Sequence, residues 1–327
     1  EVLADPFLLV APMWRDGPVT YRRFWGRWFV PGYAEAQTVL NHSAASAGAD
    51  IAALVDDVWP YTRLSPSTKR FYQDWMLLRD GVDHARIRRL VSRAFTPRRT
   101  AQLTTSIEAE VTALLDEVAH HGRIEMVEAF NRRLPIRVIG SLLGLPEDRR
   151  EWAGEMVAGI ATFLDPSNSL DPARLDATVQ EFRHRLVPLI EARRREPTDD
   201  LLGDLVAPDD DGRTLTDDEV MANAGFLVFA GHDTISGMLG TAMLALADHP
   251  EQRELVAADP GLWPNAIEEL LRWDPPVVAV LRRATEDIDL GLHQIPAGAS
   301  ISVELAAANR DPRRWDDPWE LRLDRPD

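Results

Sequence analysis

The chain has 327 residues, 45% hydrophobic and 27% charged, a mix that excludes intrinsic disorder, collagen-like repeats and small disulfide scaffolds. Its 36 basic and 53 acidic side chains leave a net charge of −17, which opposes binding to nucleic-acid phosphates or to anionic membranes. Cysteine is absent, so disulfides, thiolate zinc sites, iron–sulfur ligation and cysteine nucleophiles are excluded within these residues, and the compartment expected is the reducing cytoplasm.

In chain order, residues 19–30 mix apolar and polar positions on either side of Gly26, which predicts a β-hairpin. A short helix is predicted over 34–40. From Asn41 to Leu78 the pattern is irregular but aromatic, with Trp59, Tyr61, Phe71, Tyr72 and Trp75. Such a loop either walls a pocket or is pinned to the core by its own rings.

From Asp83 the period is helical, with Ile87, Leu90, Val91, Ala94 and Phe95 at helix spacing and Pro97 as the expected end. Helices are predicted over 99–120 and 133–143, the second closed by Gly144 and Pro146. Residues 149–163 and 172–195 read as an antiparallel helix pair joined by the turn cluster Asp165-Pro166-Ser167-Asn168. After the loop Pro208-Asp209-Asp210-Asp211-Gly212, Thr216 and Glu219 stand in capping-box positions.

Residues 219–247 form the longest apolar stretch, with His232 and Asp233 near its middle. A central Asp costs about 2.5–3.5 kcal/mol in a bilayer, so a helix buried in protein is the better reading. A helix over 264–273 stops before Pro275-Pro276. The period then drops to two through Val278, Val280, Ile288, Leu290, Ile301 and Val303, a small strand-rich region. The expected architecture is mainly α with a minor β-sheet region, in one domain spanning 1–327. The chain opens on Glu1 and stops at the loop-like Arg325-Pro326-Asp327, so it is expected to be incomplete at both ends.

Four constellations could carry chemistry. Ala230-Gly231-His232-Asp233-Thr234 sets an acid beside a hydroxyl in an apolar helix that also holds Gly225, Gly237 and Gly240. Each glycine costs roughly 0.5–1 kcal/mol against alanine there, which points to a ligand lying against the helix. The plain alternative is that Thr234 bonds back one turn and Asp233 caps or pairs. His84 and Arg88 share a helix flank with Val91 and Phe95; half-buried cations want an anion, from a ligand or from Asp80 or Asp83. Glu269 and Arg272 stand three apart on a helix. The tail Ala308-Asn309-Arg310-Asp311-Pro312, with Trp315 and Arg325, reads as an ordered loop.

In their order and spacing, these pieces resemble the bacterial cytochrome P-450 family of haem-thiolate monooxygenases, from about Asp5 to the last residue. The resemblance implies that Ala230 and Gly231 lie over the distal face of a haem b. It implies that Asp233 and Thr234 are catalytic, relaying the protons that O–O cleavage consumes. By the same resemblance His84, Arg88 and Arg282 hold the haem propionates. Glu269, Arg272 and Arg325 form a buried structural triad. Phe226, Val277 and Val280 line a substrate pocket, with the 55–78 loop and the 149–180 helix pair as its further walls. The family reads Asp-Pro-Pro-Glu-His where this chain has Asp80-Gly81-Val82-Asp83-His84, and Leu321 replaces a common Phe.

The family's haem loop, with its axial cysteine, is expected just after Arg325. These residues therefore hold no metal ligand, and the chain by itself is expected to bind haem poorly and be inactive. Two readings follow. The first is a fragment of a monooxygenase of secondary metabolism that inserts one oxygen atom from O2 into a hydrophobic small molecule. Its electrons come from a ferredoxin or flavodoxin with an NAD(P)H-dependent reductase, docked by the arginines 86, 89, 93, 98 and 99 unless these merely pair with local acids. The second is a cysteine-less auxiliary that stabilises a partner such as a glycosyltransferase. Retention of the relay pair and of the cations favours the first.

Overall fold

The computed structural model describes residues 10, 12–57, 61–95, 97–146, 150–164, 170–209 and 211–326. They group into two units, Ile51–Ser236, and Glu1–Asp50 with Gly237–Asp327. Trp59 and the 165–168 turn cluster lie outside the described residues, as do Asp210 and Asp327.

The first unit is helical. Its helices include Pro66–Gln73, Gly81–Ser92, Pro97–Ala119, Arg133–Leu142, Arg150–Ala161, Pro172–Arg195 and Leu201–Val206. Helix Asp217–Asp248 begins in this unit and runs on into the next. The expectation of an irregular 41–78 segment is corrected: Gly48–Asp57 and Pro66–Gln73 are helices, with 3-10 turns at Tyr61–Arg63 and Met76–Leu78. The physical reason is a cap and a face. Ser65 accepts from the Thr68 amide at 3.3 Å, Pro66 presets the first turn, and the Ser65 hydroxyl donates to Asp176 at 2.9 Å.

Phe71, Tyr72 and Trp75 are each 1% exposed or less. Tyr72 stacks on Phe163 at 3.8 Å and Trp75 on Phe229 at 5.5 Å. These rings are pinned in the core, the second of the alternatives open from sequence. Pro97 also departs from expectation. The helix from Gly81 stops at Ser92 in a 3-10 turn, and Pro97 opens the next helix, where its missing N–H costs nothing.

The second unit carries the sheet. Strands β1 (Thr20–Arg22) and β2 (Arg27–Val30) form the predicted hairpin, turned at Gly26 with φ of 61°. With β3 (Ala45–Ser46), β4 (Val280–Ala284) and β7 (Ser300–Val303) they give the order β1-β2-β7-β4-β3. Among the described residues only β2 and β7 pair in parallel; β5 (Ile288–Asp289) and β6 (Gln294–Ile295) form a separate hairpin. Val30, Ile301, Val303 and Ala284 face one small core. Helices Pro250–Ala258 and Trp263–Trp273 build a second around Ala266, Leu270 and Leu323. Among the described residues no helix is long and apolar enough to cross a membrane, and the mainly α architecture with a minor sheet is as read.

Three of the glycines in the long helix, Gly225, Gly231 and Gly237, face other protein side chains. A Cβ on Gly225 would stand 2.7 Å from Phe71 and 3.1 Å from Phe182, whereas one on Gly231 would meet Ile139 at an ordinary 3.4 Å. Aromatic packing therefore accounts for Gly225. Gly225→Ala gains helix propensity but overpacks these rings, and is expected to destabilise by about 1–3 kcal/mol. A urea midpoint equal to or above the parent's would contradict this packing account.

Candidate functional site

The long helix starts where the capping box places it. The Thr216 amide donates to Glu219 at 2.9 Å, and the Glu219 amide donates to the Thr216 hydroxyl at 3.2 Å. Arg86 also binds Glu219. Burial works to raise the Glu219 carboxyl, but Arg86 and Thr216 more than offset it and hold it below the usual range.

One turn on, Asn223 is fully buried and not assigned from sequence. Its amide donates to the Asp74 carbonyl at 3.0 Å, and its oxygen accepts from the Met76 amide at 2.8 Å. The Met76 carbonyl in turn accepts from His84 Nδ1 at 3.0 Å. The long helix thus fixes the segment that orients the His84 ring, within one unit.

Asp83, one of the two acids proposed as partners for His84 and Arg88, stands 4.0 Å from Arg79. The expectation of two half-buried cations is corrected for Arg88, which is exposed to solvent at the outer side of its helix turn. His84 is half-buried. Because its Nδ1 donates to a carbonyl, pairing with an anion at Nε2 takes a second proton onto the ring. Arg86 and Arg89, by contrast, are engaged by Glu219 and by Asp209 at 3.2 Å, and Arg93 donates to the Pro208 carbonyl at 2.8 Å. The locally paired alternative accounts for those three.

At the helix middle, the Thr234 hydroxyl donates to the Ala230 carbonyl at 2.6 Å. Its proton is thereby used, and its oxygen is left able to accept. Asp233, whose side chain is 42% exposed, pairs with His232 at 2.8 Å. Both halves of the plain alternative therefore occur, and they leave the Thr234 oxygen able to accept and the Asp233 carboxylate partly open to water. The His232 contact was not legible, since adjacent helix positions do not normally face each other. Phe226, one turn earlier, is buried with its ring 5.5 Å from Trp75.

In the other unit, Glu269, Arg272 and Arg325 come together. They are 4%, 5% and 7% exposed. Arg272 forks onto the carboxylate with Nε at 2.6 Å and Nη2 at 2.9 Å. Arg325 Nε reaches the same group at 3.0 and 3.1 Å, and the Arg322 amide adds a bond at 2.9 Å. Two guanidiniums against one carboxylate leave a positive excess. Backbone carbonyls of Asn309, Asp316, Pro318 and Glu320 absorb it. Burial works to raise the Glu269 carboxyl; Arg272, the Arg322 amide and Arg325 outweigh it, and the group titrates below the usual range.

Arg310, also missed, is buried between the Trp273 and Trp319 rings at 5.0 and 5.3 Å. Arg282 lies half-buried on β4 and donates to the Leu281 carbonyl at 2.7 Å. Val280 is half-buried at the start of β4, and Val277 is 37% exposed. A cavity of about 400 Å³ is lined by Tyr33, Glu269, Arg272, Arg314, Trp315 and Arg325 among others. Its lining is too charged for an apolar substrate and includes none of the three expected pocket residues.

Removing the one anion of the triad leaves two buried cations without it. Glu269→Gln is expected to cost about 3–5 kcal/mol in denaturant unfolding, and exposed Glu268→Gln no more than about 0.5. The sign of the pH effect follows from the depressed carboxyl: its stabilisation is complete above the usual carboxylate range and is lost as pH falls through the folded-state value. The acid limb should therefore shrink in Glu269→Gln. Equal costs for the two variants would refute the triad's role.

A Cytochrome P450 family model matches residues 171–258 and 262–327. The 6-deoxyerythronolide B hydroxylase of Saccharopolyspora erythraea is 34% identical, over 98% of this chain and 80% of its own length. The vitamin D(3) 25-hydroxylase of Pseudonocardia autotrophica is 38% identical, over 76% of this chain but 61% of its own. Among solved structures, P450BioI in complex with hexadec-9Z-enoic acid ligated acyl carrier protein matches with a TM-score of 0.91. That match has 28% identity and covers 99% of this chain and 83% of that one. On this sequence and fold evidence, the chain belongs to the cytochrome P450 family.

Proposed function

We propose that the protein is a haem monooxygenase that transfers one atom of O2 to a hydrophobic small molecule and reduces the other to water. The observation that carries this reading is the Asp233–Thr234 pair, with the Thr234 proton committed to Ala230 and its oxygen left to accept. Haem b, when bound, supplies oxygen activation and electron transfer. The stoichiometry consumes two protons and two electrons per oxygen atom inserted. Asp233 is the acid that exchanges protons with solvent, and the Thr234 oxygen holds the water that passes them on. In this reading Ala230 and Gly231 would lie against the haem, and the side of Gly231 that a Cβ would fill is turned to Ile139.

His84, Arg88 and Arg282 are the cations assigned to the propionates. None of the 327 residues is Cys, so a thiolate to hold the haem iron would have to come from outside them, and the activity is proposed for the whole protein. The chain taken alone is expected to be inactive.

The substrate is of polyketide, steroid or terpenoid type, bound against apolar residues that include Phe226, Val277 and Val280. The relatives named for hydroxylating 6-deoxyerythronolide B and vitamin D(3) support that range. Electrons come from a ferredoxin or flavodoxin and its NAD(P)H-dependent reductase, in the cytoplasm. Intact relay and cation residues speak against a purely auxiliary binding role.

In the protein expressed from its full reading frame, Asp233→Asn is expected to lower product-forming turnover on the order of 10²-fold, with haem content unchanged. Turnover at the parent's rate would remove Asp233 from the relay. The double variant His84→Ala, Arg88→Ala should lose haem on gel filtration while keeping its far-UV circular dichroism. Full haem retention would show that these cations hold nothing.

A further inference from the structure

We propose that His232 is the positioning residue for Asp233, its ring bridging the Asp233 carboxylate to the Arg132 carbonyl. The inference rests on the monooxygenase reading and deepens it. His232 is 8% exposed, the most buried residue of the Gly231–Thr234 run. Its Nδ1 lies 2.8 Å from Asp233 Oδ1, and its Nε2 lies 3.2 Å from the Arg132 carbonyl oxygen.

Arg132 follows the π-helical turn Val127–Asn131, and its guanidinium is turned away onto Glu128 at 2.7 Å. What it offers the ring is its carbonyl. Both oxygens that face the imidazole are acceptors. A neutral ring carries one N–H, so it would satisfy one contact and set a lone pair against oxygen at the other. The bridge is complete only with a proton on each ring nitrogen. The Asp233 side chain is 42% exposed to water, and an Nδ1–H bond to its carboxylate is charge-assisted.

The consequence is geometric. Oδ1 is committed to the ring, which fixes the carboxylate plane. Oδ2 has no partner among the described residues, and it is the oxygen left to exchange a proton with water. The ring also ties the middle of the long helix to the turn before Arg133–Leu142, so Asp233 is held from two elements and not by its own helix alone.

The test is a nitrogen-15 NMR spectrum of the His232 ring in the full-length protein, in its diamagnetic carbon-monoxide-bound ferrous form. His232→Gln identifies the signals by their loss. Both ring nitrogens are expected in the protonated range in the parent. In Asp233→Asn, Nδ1 should move to the unprotonated range, because the new amide donates to it and the ring then needs only its Nε2 proton. A parent ring with one unprotonated nitrogen overturns the bridge, and that spectrum decides even where Asp233→Asn does not fold. A doubly protonated parent ring with unchanged turnover in Asp233→Asn leaves the bridge standing and refutes the proton-delivery reading instead.

Discussion

A charge taken out of water must be met by other atoms, and this constraint organises both units of the protein. Isolated ions in a low-dielectric interior are prohibitively costly, so buried charges occur where partners surround them. Glu269 is the clearest case, with two guanidiniums and a backbone amide on one carboxylate. Asp74 is another: fully buried, it is gripped by Arg70 at 2.6 Å and by Arg79. Asp311 takes the Tyr33 amide at 2.9 Å together with Arg313. Glu269 and Asp311 tie segments distant in sequence, whereas Asp74 is met by neighbours within five residues.

One departure from that pattern bears on the proposed function. Asp233 is only partly covered and is met on one oxygen. An acid left half open to water is a poor device for stability, and the proposed function gives it a proton-exchanging role. Membership of the cytochrome P450 family, shown by relatives that align along nearly the whole chain, is consistent with that division of labour.

What the sequence made legible is what local chemistry dictates. The hairpin around Gly26, the Thr216–Glu219 capping box, and the period of the Gly81–Ser92 helix each rest on neighbours within a few residues. The 41–78 segment was not legible as helix, because its helices are short and Phe71, Tyr72 and Trp75 cluster on one face without a repeating polar face to frame them. Pro97 carried two meanings, and only the following helix decided between them. Gly225 invited a ligand and proved to make room for Phe71 and Phe182. Asn223 and Arg310 depend on partners far along the chain, which no spacing rule announces. The triad was read only because a family resemblance joined Arg325 to Glu269 across the gap.

The central claim is that these residues serve a thiolate-ligated haem. The most direct test is the reduced, carbon-monoxide difference spectrum of the protein expressed from its full reading frame. The account predicts the band of a thiolate-ligated haem, with haem bound one to one. A folded protein that takes up no haem, or that gives the spectrum of a haem without thiolate, would contradict it.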